Sequence, residues 1–384
     1  MTLFRPTLEE ARARIATVNP AEYSRSRNAL NGAVTQLSPY ITHGFISLPE
    51  VLEGVRSHHS VRTQDKFVFE LGWREYFRHV WLHRGNGIFK SLHEGVLADE
   101  AYADEIPFDI LHANTGVAAI DMAVKTLYAT GYLHNHARMW LASYMVHLRK
   151  LHWRAGADWM YGHLLDGDLA SNHLSWQWVA GTGSHKPYLF NAENVSRYAP
   201  SPWHSARSVI DTSYEELEHI ARDPLPVTSS SARADGLAID EPLLFTQPPA
   251  HLNLSTPNLN TVNGRDVWLV HPWSLGELPV HLSPNTVIVG VYVAEFHLAW
   301  PWREKRWQFV NTRMAELTTE RWYGNTSSII AALKSANQVR GFSEAHVSTF
   351  LSAPMLSEMT PCLFSQLDRR CDSFAKWWKI VSAG

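Results

Sequence analysis

The amino-acid sequence predicts a mainly α-helical protein in which a helical domain is followed by a small α/β unit at the C-terminus. Three observations support this fold class: apolar residues at helical spacing over residues 1 to about 190, a change of composition after Pro200, and short apolar runs beyond residue 265. The 384 residues, 45% of them hydrophobic, are enough for two domains with sizeable cores. We therefore predict a helical domain over residues 1–200, an extended connector over 201–264 and an α/β domain over 265–384.

The helical half contains long segments with little strand-like alternation. The segment from Gln64 to Leu82 has no Gly or Pro break apart from Gly72. Because apolar residues recur at helical intervals in later segments, we predict further helices there. These segments are residues 115–129, 134–151 and 156–165.

The remainder of the chain changes character twice. Residues 224–264 are rich in Pro, Ser, Asn and Thr, which is typical of a wrapping connector or a domain linker. Beyond them, apolar runs predict buried strands that alternate with helical patterns, as in a small α/β unit with a parallel sheet. The predicted strands are Asp266–His271, Thr286–Val293 and Arg321–Tyr323, and the predicted helices are residues 303–318 and 326–336.

Composition excludes several classes of protein. No apolar run approaches the roughly 18 residues of a membrane span, and the N-terminal residues lack a signal-peptide core, so we expect a soluble, cytoplasmic protein with no membrane partner. Two cysteines, Cys362 and Cys371, cannot form a disulfide framework or a four-thiolate metal site. The formal charge of −3 argues against a generally basic nucleic-acid-binding surface. The 16 Trp and 21 His suit large cores, stacking sites or redox-active side chains.

The first candidate segment is TQLSPY, from Thr35 to Tyr40, which precedes a predicted helix. Hydroxyl and amide groups ahead of a helix are a usual means of holding phosphate. The Ser-Pro pair is also an ordinary helix cap, so both interpretations stay open.

The second candidate segment is FELGWREY at residues 69–76. On a helix, Glu70, Trp73 and Arg74 lie at i, i+3 and i+4 and share one face. A carboxylate, a flat ring and a guanidinium on one face suit a planar ligand. The alternative is a surface pair between Glu70 and Arg74 beside a core Trp.

The third candidate segment contains DGDLASN, from Asp166 to Asn172. It has some of the acidic spacing of a calcium loop but lacks the Gly at the sixth position and the closing Glu. The nearby histidines do not have the spacing of a zinc site, and we interpret them as satisfied helix residues. We therefore predict no metal site. The histidines are His134, His136, His163 and His173.

Taken together and in this order, these segments resemble the flavin-binding lobe of the DNA photolyase and cryptochrome family. The resemblance extends from about Tyr23 to Asn191. The motifs that carry it are F-x-x-E-L-x-W-R-E, T-G-x-x-x-x-D, T-G-Y-L-H-N-x-x-R-M, W-R-x-G, D-G-D-x-x-x-N and W-Q-W-x-A-x-T-G.

The resemblance implies that a mostly helical lobe binds FAD in a folded, U-shaped conformation. By position, Thr35, Leu37 and Ser38 would cradle the diphosphate, and Asn172 would face N5 of the flavin. An Asn can hydrogen-bond to that atom whether or not it is protonated. The residues implied around the flavin and ribose are Arg74, Asn135, Arg138, Asp166 and Asp168.

The resemblance also implies a cavity for a flipped-out cyclobutane pyrimidine dimer in DNA, whose bases would stack on Trp faces. Asn135 with Met139 four residues later resembles the dimer-repairing subtype more than the (6-4) subtype. At His136 the sequence departs from bacterial repair enzymes, which commonly have Arg there. The implied lesion-pocket residues are Glu70, Trp73, Asn135, Met139 and Trp178.

Two tryptophans, Trp176 and Trp153, match the first members of the family's electron-transfer chain to the flavin. The third member is not in its usual place, because residues 95–110 contain Tyr102 but no Trp. Ordinary core packing is the alternative interpretation of all these rings. The candidates to replace it are Trp140, Tyr144 and Trp159, and a different route for the chain is the alternative.

The order of the domains departs from the family pattern. Members normally begin with an α/β antenna domain, whereas here the flavin lobe begins close to Met1. The α/β unit at 265–384 is then a candidate for a reduced or permuted antenna domain, and a second, antenna chromophore of unknown identity stays open. The basic, aromatic segment His297–Leu317 has three interpretations: chromophore binding, DNA contact, or an amphipathic helix that covers the sheet.

These observations lead to two main functional hypotheses. The first is an enzyme, a deoxyribodipyrimidine photolyase-like lyase, that repairs cyclobutane pyrimidine dimers in DNA by electron transfer from excited, reduced FAD. The second is a cryptochrome-like blue-light photoreceptor that uses FAD and the Trp chain to signal to a partner protein. A flavin-binding scaffold without a light function is a third hypothesis.

Overall fold

The structure of the protein is a computed structural model that describes residues 4–184, 186–227, 238–351 and 355–383. Helices account for about 48% of the chain, and the strands form a mainly parallel sheet. The predicted fold class, mainly α with an α/β unit, is confirmed.

Helices and short helical turns run through the whole described chain. A π-helical turn, Tyr144–Leu148, directly extends one of the helices, and 3-10 turns occupy Gly85–Phe89, Asp99–Ala101, Ser201–Trp203 and Ala250–Leu252. The α-helices are α1 (Leu8–Ala16), α2 (Pro20–Ser26), α3 (Ser38–Thr42), α4 (Leu48–Arg56), α5 (Lys66–Arg84), α6 (Phe108–Leu111), α7 (Ala118–Thr130), α8 (Asn135–Ser143), α9 (Trp153–His163), α10 (Leu169–Ala180), α11 (Ala192–Tyr198), α12 (Tyr214–Arg222), α13 (Leu259–Val262), α14 (Ala294–Ala299), α15 (Glu304–Leu317), α16 (Thr326–Leu333), α17 (Ala345–Ser348) and α18 (Phe374–Val381).

The strands lie in the second half of the chain and form two sheets. One sheet is a two-stranded antiparallel pair, and the other is a five-stranded parallel sheet. The strands are β1 (Leu244–Phe245), β2 (Asp266–Val270), β3 (Val287–Val293), β4 (Trp302–Arg303), β5 (Arg321–Gly324), β6 (Gln338–Ser343) and β7 (Glu358–Met359).

The chain forms two compact units, neither of which is a continuous stretch of sequence. The α/β unit contains Met1–Val18, Thr35–Leu71 and Leu243–Gln366. The helical unit contains Asn19–Val34, Gly72–Pro242 and Leu367–Gly384. The sequence suggested consecutive domains, because composition changes along the chain do not indicate which distant segments pack together.

The helical unit has its core where α7 to α10 meet. Fully buried side chains such as Trp140, Leu141 and Met145 lie in this core. Helix α10 begins at the N-cap Asp168, whose carboxylate accepts the backbone N–H of Ser171, and it ends at Gly181 with a φ of 83°. A left-handed glycine is the usual way to terminate a helix, because it adopts this φ without the strain of a Cβ.

The α/β unit is built on the parallel sheet, with strands in the spatial order β5-β3-β2-β6-β7. Numbered along the chain within this sheet, the order is 3-2-1-4-5, which is that of doubly wound α/β folds. Strand β2 lies at the centre and buries four of its five residues. The continuous apolar run DVWLV suits a strand that is covered on both faces.

Helix α15 covers one face of the sheet. Its Met314 packs so closely on β3 that a Cβ at Gly290 would lie 2.5 Å from the Met314 sulfur. Trp307, Val310 and Met314 are fully buried on this helix. Of the three interpretations of the segment from His297 to Leu317, this packing favours the amphipathic helix.

N-terminal residues complete the α/β unit. Tyr40 and Phe45 both contact the Phe309 ring, with centroids 5.7 and 5.2 Å apart. Gly44 has a φ of 63°, and a Cβ there would lie 2.3 Å from the backbone oxygen of Trp273. Only glycine allows this close approach, which joins an early segment to the loop after β2.

The predicted connector contains more structure than its composition suggested. Strand β1 pairs with β4 in the α/β unit, and α13 lies just before β2. Residues 228–237 of the connector lie outside the described residues. In the part of the chain that the structure describes, no helix is both long enough and apolar enough to cross a membrane.

Most of the predicted elements are present within a few residues of the expected bounds. Strands β2, β3 and β5 and helices α15 and α16 form where the sequence placed them. Helix α8 is shorter than predicted, since it gives way to the π-helical turn after Ser143. The sequence did not predict β6, β7 or α18, which are short segments of six, two and eight residues.

His271, directly after β2, is fully buried and holds the end of the strand in place. One ring nitrogen shares a 2.9 Å hydrogen bond with the backbone oxygen of Phe342, and the other accepts the backbone N–H of Trp273. Burial lowers the pKa of His271 to about 4. The ring is therefore neutral at neutral pH, in the form that satisfies both hydrogen bonds.

We expect acid to destabilise the protein through this residue. The unfolded chain takes up the proton near pH 6.5 but the folded protein only near pH 4, so the free energy of unfolding falls as the pH is lowered through this window. The expected loss from His271 between pH ~7.5 and pH ~5 is about 2 kcal/mol. Urea unfolding at several pH values gives the free energy of unfolding of the wild type and of His271→Gln, whose glutamine does not titrate. The free energy should fall less steeply with decreasing pH in His271→Gln than in the wild type.

The control for this measurement is His58→Gln, because His58 is exposed on the same unit. It should leave the pH dependence of unfolding unchanged. An equal pH dependence in the wild type and in His271→Gln would contradict the assigned role of His271.

Candidate functional site

The loop between α9 and α10 places two aspartates at the centre of the helical unit. Helix α9 ends at His163, and α10 begins after Asp168. Asp166 and Asp168 flank Gly167 in this loop, and both are nearly buried, at 5% and 6% exposure. Buried carboxylates need charged or hydrogen-bonding partners, so the surroundings of this loop determine what it can do.

Asp166 is partnered by Arg138 of α8. Nη2 of Arg138 donates to both carboxylate oxygens at 2.9 and 2.8 Å, and Nε of Arg138 donates to the backbone oxygen of Leu133 at 2.7 Å. The guanidinium therefore fixes the carboxylate and the start of α8 together. Two residues that the resemblance implies around the flavin are therefore partners of each other.

Asp168 combines two roles. Its Oδ1 accepts the backbone N–H of Ser171 at 2.7 Å, which caps α10, and its Oδ2 lies 3.6 Å from Nη2 of Arg74 on α5. One turn into α10, Asn172 donates through Nδ2 to the backbone oxygen of Ala157 at 2.8 Å. This hydrogen bond fixes the amide orientation and leaves Oδ1 available to accept another.

These side chains have the chemistry that a flavin nucleotide needs. Two carboxylates can accept ribose hydroxyls, two guanidinium groups can donate to phosphate or ring oxygens, and the Asn172 amide can do either. The hydroxyl of Ser171 is buried and has no hydrogen-bond partner among the described residues. The residues implied for FAD in the helical unit therefore fit such a ligand.

Asn135 and Met139, implied for the lesion pocket, lie one turn apart on α8. The Asn135 amide is exposed and lies 3.6 Å from the Met139 sulfur. Trp178 on α10 is 39% exposed, and its ring centroid lies 5.8 Å from that of Tyr188. A large apolar ring left this exposed is available for stacking.

Trp73, the second implied stacking residue, is half-buried on α5. Its ring lies flat against Phe374 of α18, with centroids 4.0 Å apart and planes inclined by 8°. No sequence motif indicated this contact, because the two residues are far apart in the chain.

The remaining implied residues belong to the α/β unit. The Thr35 hydroxyl accepts the backbone N–H of Leu37 at 3.3 Å, and Ser38 begins α3. Glu70 lies 2.7 Å from the Lys66 ammonium, one turn away on α5. A hydroxyl turn is therefore present ahead of α3, but no side chain caps the helix, because its N-cap residue is Leu37.

The two tryptophans implied for electron transfer are deeply buried in the helical unit. Trp153 and Trp176 are each 2% exposed. Trp153 donates through Nε1 to the Ser91 hydroxyl at 3.0 Å. Trp176 lies so close to Gly156 of α9 that a Cβ there would come within 2.4 Å of the indole. Glycine at this position allows α9 and α10 to approach across the indole ring.

The candidates for a third member of the chain differ in their surroundings. Trp140 donates to the Asn194 side chain at 3.1 Å, and Trp159 donates to Glu241 at 3.0 Å. The Tyr144 hydroxyl accepts from Arg149 at 3.2 Å. Tyr102 is half-buried, and its ring lies 6.3 Å from that of His152, which in turn lies 5.7 Å from Trp153. Tyr102, which sequence analysis did not propose for this role, is thus linked to Trp153 through the ring of His152.

His136, where the sequence departs from the family pattern, is not a cationic group. One ring nitrogen lies 2.7 Å from the backbone oxygen of Asn28, and the other lies 3.1 Å from the Tyr188 hydroxyl. Burial lowers the pKa of His136, so the ring is neutral at neutral pH. It cannot replace the charge of an arginine toward a DNA phosphate.

The other histidines of this region have structural partners. His163 shares a 2.7 Å hydrogen bond with Glu241, and His173 shares a 2.8 Å hydrogen bond with Asp158. His134 accepts the backbone N–H of His136 and caps α8, and burial lowers its pKa to about 4. Sequence analysis missed Glu241, since it lies in the connector and about 80 residues from its partners.

Comparison with known proteins then tests the resemblance seen in the sequence. Residues 67–206 match the FAD-binding domain of DNA photolyase. The resemblance to the photolyase and cryptochrome family is confirmed. The matched segment includes Arg74, Arg138, Asp166, Asp168 and Asn172.

Curated relatives include both photolyases and cryptochromes. A cryptochrome DASH of Ostreococcus tauri is 34% identical over 47% of this chain and 35% of its own length. A cryptochrome DASH of Idiomarina loihiensis is 30% identical over 53% of this chain and 48% of its own length. A deoxyribodipyrimidine photo-lyase of Streptomyces griseus is 34% identical over 43% of this chain and 36% of its own length. The chain thus spans less than half the length of these relatives.

Solved structures with some similarity have related names. A cryptochrome from Synechocystis matches with a TM-score of 0.45 and 26% identity, over 51% of this chain and 44% of that chain. A class III photolyase from Agrobacterium tumefaciens matches with a TM-score of 0.43 and 24% identity, over 50% of this chain and 42% of that chain.

We expect the pair between Arg138 and Asp166 to stabilise the helical unit. In Asp166→Asn the guanidinium loses its charged partner, which should lower the free energy of unfolding by about 1–3 kcal/mol. This loss in the free energy of unfolding is smaller than for a fully buried pair, because the Arg138 side chain is 23% exposed. Thermal unfolding measures the change, and the flavin retained on purification should fall with it.

The matched control is Glu218→Gln, since Glu218 forms an ion pair with Arg222 in which both side chains are more than half exposed. It should leave the melting temperature nearly unchanged. If Asp166→Asn were no less stable than this control, the pair would not have its assigned role.

Proposed function

We propose that the protein repairs cyclobutane pyrimidine dimers in DNA with the help of light and bound FAD. The observation that supports this most directly is the combination of a satisfied, nearly buried set of carboxylates and arginines with exposed Asn135 and Trp178 in one helical unit. The first set suits a tightly held nucleotide cofactor. The exposed groups suit a flat, polar-edged substrate.

The residues proposed to hold FAD are those of the loop between α9 and α10 and their partners. Arg138 and Arg74 would hold the carboxylates of Asp166 and Asp168 in place beside the cofactor, and Asn172 would hydrogen-bond to the flavin ring. When bound and reduced, FAD supplies a light-driven electron donor. The diphosphate would lie on the segment with Thr35, Leu37 and Ser38.

The residues proposed for the lesion position the dimer rather than act on it as acid or base. Trp73 and Trp178 would stack the extruded pyrimidines, and each stacked base contributes roughly 1–3 kcal/mol. Asn135 would hydrogen-bond to a pyrimidine edge, and Met139 would pack beside it. A dimer is already poorly stacked in the duplex, so it costs less to flip out than an intact pair. Glu70 would contact the same substrate.

The proposed electron route to the cofactor runs through Trp153 and Trp176. Both rings are almost completely buried, so water cannot readily reach them. The hydrogen bond from Trp153 to Ser91 fixes one ring, and the tight packing of Trp176 on Gly156 fixes the other. Fixed, buried rings keep a constant separation, which a defined electron route requires.

A cryptochrome-like photoreceptor is the alternative function. The observation in its favour is that relatives at 34% and 30% identity are named cryptochrome DASH. This function would use the same cofactor and Trp residues and a signalling partner instead of damaged DNA. A cytoplasmic location stays a prediction under both functions.

We expect the purified protein with bound flavin to remove thymine dimers from an oligonucleotide under blue light and not in the dark. Replacing the exposed ring in Trp178→Ala should weaken binding of the dimer-containing oligonucleotide about 5- to 100-fold, because stacking is lost. Dimer loss is measured by restored restriction cleavage, and affinity by fluorescence anisotropy. Phe108→Ala, which removes an exposed ring elsewhere in the helical unit, is the control.

The result separates the two functions. Light-dependent dimer loss in the wild type supports repair. If the bound flavin responds to blue light while the dimer content stays constant, repair is ruled out and the photoreceptor alternative stands.

We expect Trp176→Phe to slow the photoreduction of bound flavin at least 10-fold. Phenylalanine keeps the packing on Gly156 but is much harder to oxidise than tryptophan. Bleaching of the flavin absorption under blue light with a thiol measures the rate. Trp203→Phe should leave the rate unchanged, because Trp203 is a core residue of the helical unit with no place in the proposed chain. Equal rates in the wild type and in Trp176→Phe would refute the assigned role.

A further inference from the structure

The C-terminal segment of the helical unit binds along helix α5. The Tyr76 hydroxyl donates to the backbone oxygen of Cys371 at 3.3 Å, and the His79 ring accepts the backbone N–H of Cys371 at 3.0 Å. One turn further along, the His83 ring lies 3.0 Å from the backbone oxygen of Leu367. Residues 76, 79 and 83 share one stripe of the helix, so the segment follows the helix axis.

Close packing continues this attachment to α18. A Cβ at Gly72 would lie 2.5 Å from the Trp378 ring, so only glycine admits this ring at the helix surface. Trp377 is 2% exposed, and its centroid lies 5.9 Å from that of Tyr76. The segment is therefore anchored by hydrogen bonds at one end and, at the other, by the buried indole of Trp377 and the half-buried indole of Trp378.

This anchored segment carries Phe374 onto Trp73. The two rings are 4.0 Å apart at the centroids and inclined by 8°, and Phe374 itself is 6% exposed. The Phe374 ring is also nearly parallel to that of Trp378, with centroids 5.6 Å apart and planes inclined by 17°. Phe374 is therefore buried between aromatic neighbours, and Trp73 remains half-buried.

We infer that Phe374 is a positioning residue that fixes the plane of Trp73 for stacking with an extruded base. The inference rests on the proposed function. With one face of the indole covered by Phe374, an incoming base can meet only the remaining surface of the ring. Contact with Phe374 also restricts the rotation of the Trp73 side chain before any base binds. Less side-chain entropy is then lost when a base stacks on the ring.

The firm anchoring of the segment distinguishes this role from that of a displaceable lid. Displacing α18 would break the hydrogen bonds to Tyr76, His79 and His83 and expose Trp377. When the segment stays bound, these contacts are kept and Phe374 provides Trp73 with a rigid aromatic support. The last residues of the chain therefore belong to the lesion pocket through Trp73.

The first measurement needs no substrate. The full chain is labelled with 5-fluorotryptophan, and the ¹⁹F resonance of Trp73 is assigned by its loss in Trp73→Phe. In Phe374→Ala the Trp73 resonance should shift and broaden, because the ring gains freedom, whereas Phe374→Tyr should restore the wild-type resonance. A Trp73 resonance unchanged in Phe374→Ala would overturn the inference.

The second measurement is the affinity for a dimer-containing oligonucleotide and for its undamaged counterpart. Phe374→Ala should weaken dimer binding about 3- to 10-fold and leave binding of undamaged DNA unchanged, since a stacking contact of this kind contributes little more. Phe374→Tyr should bind as the wild type does. The control is Leu217→Ala, which removes a buried side chain of α12 and should not change the ratio of the two affinities.

The outcomes separate the inference from the function on which it rests. If the wild type prefers the dimer and Phe374→Ala retains that preference or binds the dimer more tightly, the inference fails while the proposed function stands. If the wild type shows no preference for the dimer, the repair function fails, and the role of Phe374 toward a base fails with it. The inference is supported if Phe374→Ala loses the preference for the dimer while the wild type and Phe374→Tyr keep it.

Discussion

The pairing of two nearly buried aspartates with two arginines is the constraint on which the helical unit depends. Asp166 and Asp168 lie on either side of one glycine, and each reaches an arginine on a different helix. A nearly buried carboxylate without a charged partner would destabilise the folded protein. The loop therefore requires α5, α8 and the start of α10 to meet around it. The same requirement gathers the groups proposed to hold FAD.

The aromatic residues then divide by burial into different roles. Trp140, Trp153 and Trp176 are buried, and their fixed rings support packing or an electron route. Trp178 and Trp73 retain exposed surface, and this is where a substrate base can stack. Burial is decided by tertiary packing, so a high tryptophan content by itself could not separate these roles. The support that Phe374 gives to Trp73 is an example, because it joins residues about 300 positions apart.

Through the resemblance, sequence analysis named most of the residues proposed for the site but not their surroundings. It named Arg138, Asp166 and Asn172, and the structure pairs the first two and places the third on α10. It could not find Glu241 or Phe374, because neither lies in a periodic or motif-bearing segment. It also predicted consecutive domains, whereas early residues such as Tyr40 pack on α15 in the α/β unit.

The sequence alone therefore determined the helical character of the first half, the central strands of the sheet and the resemblance to a flavin-binding lobe. Apolar periodicity and motif spacing involve residues that are close together in the chain, so they can be recognised without the tertiary structure. Tertiary structure alone decided which histidines are neutral, which rings remain exposed and which distant segments complete each unit. Those outcomes depend on desolvation and close packing between residues far apart in the chain, and no local pattern records them.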